Sequence, residues 1–209
     1  MRHLFISLLL VLAVIPASIF ATSPKKGDSS RLTEKTFAGL AFRSIGPAFM
    51  SGRIADIAID PENTSTWYVA VGSGGVWKTT NAGVTWHPLF DGQKVYSIGC
   101  VTIDPANPNV IWVGTGENIG GRHVGFGDGI YRSSDGGSSW TNMGLKDSQH
   151  ISKIIVHPTN SSIIWVAAQG PLWASSGERG FYKSVDAGKT WGKTLGDETW
   201  VGVTDIVIA

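Results

Sequence analysis

The chain has 209 residues, a formal net charge of +1 and a single cysteine, Cys100. Near-neutral charge with no Lys/Arg run excludes a nucleic-acid footprint, and one cysteine excludes an internal disulfide. Twenty-seven glycines and nine tryptophans against 16% charged residues point to many tight turns and large flat side chains between layers, the signature of an all-β repeat protein.

Residues 1–21 read as a secretory signal peptide. Arg2 and His3 precede an apolar run, Leu4 to Ile15, broken only by Ser7; Pro16 ends it and small residues lead to Ala21. The run is shorter than the roughly 20 residues that cross a bilayer, so no membrane span is expected after cleavage and the location is secreted or periplasmic. Residues 22–36, rich in Lys, Gly, Ser and Pro, predict a flexible tether. Residues 37–209 hold the folded part.

That part repeats itself. TTNAGVTW at Thr79–Trp86, SSDGGSSW at Ser133–Trp140 and SVDAGKTW at Ser184–Trp191 share one pattern, and their tryptophans are spaced by 54 and 51 residues. A period near 50 residues with short strands is that of one four-stranded propeller blade. Before each box lies a strand of one type: GVWKT from Gly75, GIYRS from Gly129, GFYKS from Gly180. Upstream come a second strand (Tyr68, Trp112 and Trp165 near its start) and a β-branched first strand ending at Pro61, Pro105 or Pro158. The predicted blades cover about 53–91, 95–145 and 150–196, and residues 203–209 begin a fourth. The fold class is therefore all-β, an incomplete β-propeller, and further blades are expected C-terminal to Ala209, since rings close with about 4–8 blades.

Each box makes the turn between the third and fourth strands. Asn81, Asp135 and Asp186 can accept hydrogen bonds from turn N–H groups, with Thr79, Ser133 and Ser184 at the head of the motif. Gly83, Gly137 and Gly188 supply positive φ. Trp86, Trp140 and Trp191 bury large faces between blades. Turn-making and packing account for every position, so the boxes are scaffold.

Strand alternation puts the boxes and Pro turns on one face and the remaining connections on the other. The variable loops on that second face carry the candidate site. Gly72–Gly74 is minimal. Gly116 to Asp128 (GENIGGRHVGFGD) brings Glu117, Asn118, Arg122 and His123; Gln169 to Arg179 brings Trp173 and Arg179; Arg53 enters the first strand from the same side. Carboxylate, imidazole, guanidinium and indole on one rim suit a peptide or carbohydrate ligand. Glu117, Asp56 and Asp205 are the carboxylates to test for glycosidic acid/base chemistry. Asp56 and Asp205 share a column of the first strand with Cys100 and Lys153, where the alternative is a buried polar position satisfied by neighbouring backbone. No metal ion or cofactor is expected, since His123 lacks a second ligand at a diagnostic spacing.

The boxes resemble the Asp box, or bacterial neuraminidase repeat, of sialidases, xyloglucanase-like glycoside hydrolases and the sortilin family. The longer text FRSIGPAFMSGRIADIAIDP, VGSGGVWKTTNAGVTW and AAQGPLWASSGERGFYKSVDAGKTW resembles large secreted bacterial proteins labelled BNR-repeat glycosyl hydrolase or sortilin N-terminal domain-containing. The resemblance implies a sortilin-like module binding peptide or glycan, or alternatively a glycoside hydrolase acting on polysaccharide. Where xyloglucanase-like enzymes carry a catalytic Asp before Gly-Gly, this chain has Gly72 and Ser73. Phe42 to Pro47 is only superficially like the arginine motif of sialidases.

Overall fold

A computed structural model describes residues 34–40, 52–121, 123–196 and 198–208. The predicted signal peptide, residues 1–21, and most of the predicted tether lie outside them. The chain divides into two compact units, Met1–Ser44 and Ile45–Ala209. In the first, α1 (Glu34–Phe37) is a single helical turn, so residues 34–36 of the predicted tether are helical.

The second unit contains three four-stranded antiparallel sheets, each in simple sequence order. The first is β1 (Ile54–Ile59), β2 (Trp67–Val71), β3 (Gly75–Thr79) and β4 (His87–Pro88). The second is β5 (Ile98–Asp104), β6 (Asn107–Thr115), β7 (Ile130–Ser133) and β8 (Thr141–Asn142). The third is β9 (Ile151–His157), β10 (Asn160–Ala168), β11 (Gly180–Ser184) and β12 (Gly192–Leu195). These are the three predicted blades. The hairpin between first and second strands is closed by a side chain at the residue before proline. Asp60 Oδ1 accepts from the Glu62 N–H, Asp104 Oδ1 from that of Ala106, and His157 Nδ1 does the same for Thr159.

The blades stack through their first strands: β5 packs on β1 and β2, and β9 on β5 and β6. The core is therefore two apolar layers. Tyr68, Phe90, Ile98, Val101, Ile111 and Val113 fill the first gap; Trp112, Ile130, Ile151, Ile154, Ile164 and Val166 fill the second. The middle blade is buried on both faces, which is why β5 and β6 read as almost continuous apolar runs. β1 has a neighbour on one side only among the described residues, and Ile54, Ile57 and Ile59 are exposed. This is the fold of a β-propeller fragment.

Each first strand carries a β-bulge at its start, around Ala55, Gly99 and Ser152. The third-strand pattern of Gly, apolar, aromatic, cation, hydroxyl also acquires a cause. Lys78 lies directly across the ladder from Tyr68, Arg132 from Trp112 and Lys183 from Trp165. Each cation sits 5.0–5.7 Å from the centre of its aromatic partner's ring. The expected fourth first strand at 203–209 forms no ladder among the described residues, which hold no second strand to receive it. The Val203 N–H nevertheless reaches the Ala168 carbonyl at 3.1 Å, and Val203's own carbonyl accepts from Ser152 Oγ at 3.0 Å.

The boxes are wired alike. Asp135 Oδ1 accepts from Ser133 Oγ (2.7 Å) and the Ser139 N–H (2.8 Å), while Oδ2 accepts from Ser139 Oγ (2.6 Å). Asp186 repeats this with Ser184 and Thr190. Asn81 Oδ1 accepts likewise from Thr79 Oγ1 and the Thr85 N–H, but its Nδ2 donates to Thr85 Oγ1, so that one bond runs in reverse. Gly83, Gly137 and Gly188 have φ of 89°, 95° and 81°. The preceding residue is left-handed too, and in two boxes it is an alanine, Ala82 (φ 53°) and Ala187 (φ 60°), a strain the motif alone did not reveal. Trp140 Nε1 donates to the Leu89 carbonyl of the preceding blade (2.9 Å) and Trp191 Nε1 to that of Met143 (2.7 Å), so the tryptophans clasp blade to blade.

The hydroxyl of Ser139 or Thr190, then the backbone N–H of the same residue, hold the carboxyls of Asp135 and Asp186 down at about 2. A carboxyl depressed on folding contributes stability above its unfolded pKa, near 3.9, and loses it as pH falls through the folded value. The double variant Asp135→Asn, Asp186→Asn should therefore show a flatter fall of melting temperature between pH about 4 and about 2, because asparagine already serves at position 81. Parallel acid limbs in the two proteins would show that acid attacks elsewhere.

Candidate functional site

The variable loops do gather on one face, and a buried carboxylate organises them. Glu117 follows β6, and its side chain is 3% exposed. One oxygen pairs with Arg53 Nη2 at the entry to β1. The other accepts from Ser73 Oγ (3.0 Å) in the β2–β3 turn and from the Gly125 N–H (3.1 Å) of its own loop. Glu117 thus joins two blades and ties Gly125 back to the start of its own loop. Beneath it, the buried His150 places Nδ1 2.8 Å from the Glu117 carbonyl. A carbonyl can only accept, so Nδ1 carries the proton. Burial pushes the imidazole pKa down to about 4, so the ring is neutral. The ring of Phe126 stands edge-on to it at 5.6 Å.

Ser73 occupies the neighbourhood where xyloglucanase-like sequences carry an acid, and here its hydroxyl serves Glu117. Asp56 is likewise engaged by backbone: Oδ1 accepts from the Ile57 N–H (2.9 Å) and Oδ2 from the Val101 N–H of the next blade (3.2 Å). Asp56 is half-buried, so it differs from the fully buried position named as the alternative for that column. Asp205 is exposed and accepts from the Ile206 N–H at 2.8 Å. In the same column, burial foremost pushes the Cys100 thiol up to about 12, leaving it an inert core residue.

The other predicted binding residues divide. Arg179 is buried and staples its own loop. Its Nη2 donates to the Pro171 carbonyl (2.6 Å) and the Ala174 carbonyl (2.5 Å), and its guanidinium lies 5.6 Å from the Trp200 ring centre. Trp173, carried by that loop, is 68% exposed. Asn118 offers its carbonyl to Gln169 Nε2 (3.2 Å), His123 is exposed, and Arg122 lies outside the described residues. The sequence reading missed three further exposed aromatics on this face, Tyr96, Phe126 and Trp200. Each sits in a connection between blades or between second and third strands, and that topology was the signal available for finding them. Among the described residues, no group of three or more His, Cys, Asp or Glu stands close enough to hold a metal ion.

No protein-family model matches the chain. It is 26% identical over 170 residues to a xyloglucanase of Hypocrea jecorina, covering 75% of this chain and 19% of that protein. It is 27% identical over 173 residues to the xyloglucanase Xgh74A of Acetivibrio thermocellus, covering 72% and 18%. The solved structure of the GH74 enzyme of Niastella koreensis superposes with a TM-score of 0.51 at 28% identity, over 68% of this chain and 21% of that one. The chain thus spans about a fifth of the length of the proteins it matches. The fold is a glycoside hydrolase-like β-propeller, and the likeness fits the glycoside hydrolase alternative better than the peptide- or glycan-binding interaction module.

Proposed function

We propose that this chain forms part of a secreted or periplasmic glycoside hydrolase-like propeller and that its variable-loop face binds polysaccharide. The observation that carries the reading is the exposed indole of Trp173 on a loop pinned by the buried Arg179, with Tyr96, Phe126 and Trp200 exposed on the same face. Flat rings held rigidly in solvent lose little entropy on stacking against the C–H faces of sugars. Glu117 and Asp56 are committed to architecture, so their role here is support of the binding face and not bond cleavage. The likeness to xyloglucanases supports a glucan ligand; the Asp boxes keep their scaffold role, and the sortilin-like reading draws only on the shared repeat.

Calorimetric titration with soluble xyloglucan tests the proposal on protein recovered after export, whose N-terminus is expected at Thr22. Trp173→Ala should weaken binding about tenfold, equivalent to ~1.4 kcal/mol, at unchanged melting temperature. Absence of binding to xyloglucan and to other neutral polysaccharides, or full affinity in the variant, would overturn it.

A further inference from the structure

A depression of about 410 Å³ opens on the same face between the second and third blades, within the two long loops but away from the individual residues singled out from the sequence. Phe126 and Pro171 line it with apolar surface, and Lys146, Asp147, Gln149 and Ser176 supply polar groups. The walls are fixed by backbone bonds between loops. The Gly127 N–H donates to the Gln149 carbonyl (2.8 Å) and the Glu178 N–H to the Asp147 carbonyl (3.3 Å), while the Asp147 N–H donates to Glu178 Oε2 (3.0 Å). The turn beside it is strained: Leu145 and Gln149, which flank the short 3-10 turn Lys146–Ser148, both have left-handed φ, 52° and 63°. Outside the Asp boxes these are the non-glycine residues of that conformation among the described residues, and such strain persists where the surroundings hold it.

The polar groups differ from those elsewhere on the face. Glu117 and Arg179 are consumed by internal partners. The side chains of Lys146, Asp147, Gln149 and Ser176 make no hydrogen bond or ion pair among the described residues. An ammonium, a carboxylate, an amide and a hydroxyl therefore remain available around one exposed phenyl ring. Lys146 and Asp147 cancel in charge, which disfavours an anionic or cationic ligand. The volume lies at the small end of ligand pockets, ~300–1,000 Å³. A ligand with an apolar face, a rim of hydroxyls and no net charge matches this lining.

We infer that the depression is a subsite for one neutral sugar ring, stacked on Phe126 and hydrogen-bonded through its hydroxyls to Lys146, Asp147, Gln149 and Ser176. The inference rests on the polysaccharide reading and assigns residues outside the Trp173 loop tip. The test compares wild type, Phe126→Ala, Ser176→Phe and Trp173→Ala by calorimetric titration with soluble xyloglucan, with melting temperatures recorded alongside. Ser176→Phe fills the depression without removing an internal contact, so it decides the matter if Phe126→Ala also loosens the loop over His150. An affinity loss of about tenfold in Ser176→Phe at unchanged melting temperature supports the subsite. Wild-type affinity in both Phe126→Ala and Ser176→Phe, with Trp173→Ala still weakened, overturns the subsite and leaves the polysaccharide reading standing. Absence of binding by the wild type overturns both.

Discussion

Glu117→Ala is expected to destabilise the protein by about 2–3 kcal/mol, below the 3–5 typical of breaking a fully buried pair because Arg53 keeps access to water. The carboxylate is nearly inaccessible, whereas the Arg53 side chain is 44% exposed and can be rehydrated. Removing the carboxylate strands the Ser73 hydroxyl and the Gly125 N–H, each bonded to it in the native fold. For a chain of this size the loss corresponds to a fall in melting temperature of about 5–10 °C. Arg53→Ala should cost at least as much, since it leaves a buried charge without its counter-ion. The double variant should be scarcely worse than either single one. Calorimetric melts of the four proteins check this; strictly additive losses would show that Arg53 and Glu117 do not act as a unit.

Gly99→Ala is expected to be more damaging, about 3 kcal/mol or more. Gly99 lies at the bulge of β5, and a methyl group there would fall within the contact radius of two backbone oxygens, those of Ile151 and Gly116. Neither can rotate aside, because one belongs to the first strand of the next blade and the other opens the Glu117 loop. The blades would have to separate. Gly120→Ala is the matched control in the same region: a methyl there meets nothing within 4 Å. Urea titration of the two variants should show a large drop in midpoint for Gly99→Ala and almost none for Gly120→Ala. Equal midpoints would mean that the bulge is not where adjacent blades meet most closely.

The architecture was legible because it is written three times. The Asp box ties turn chemistry to a fixed tryptophan, and the Pro turns mark where each first strand ends. Three registers of one pattern left little freedom in strand order. The candidate site was legible only in outline, because a loop residue's role depends on what a different blade brings to it. Glu117 and Arg179 look like free charges in a glycine-rich string. Their burial depends on Ser73, on the entry of β1 and on carbonyls of a folded-back loop, none of which has a local signature. His150 stood in no motif, yet it underpins both Glu117 and Phe126. Trp173 could be recognised because an indole in a loop bounded by Pro171 and Ser175 has no strand face to fill. Trp200 follows the end of β12 and Tyr96 shortly precedes β5, where an aromatic reads equally well as core.

The clasp between blades makes a modest request of its neighbour. Trp140 and Trp191 each ask the preceding blade for a main-chain carbonyl, and every residue has one; Leu89 answers in one seam and Met143 in the other. The side chains at the seam are therefore free to drift without breaking the bond. A duplicated blade arrives with its joint already made, so such a ring can lengthen by copying and diverge afterwards, blade by blade.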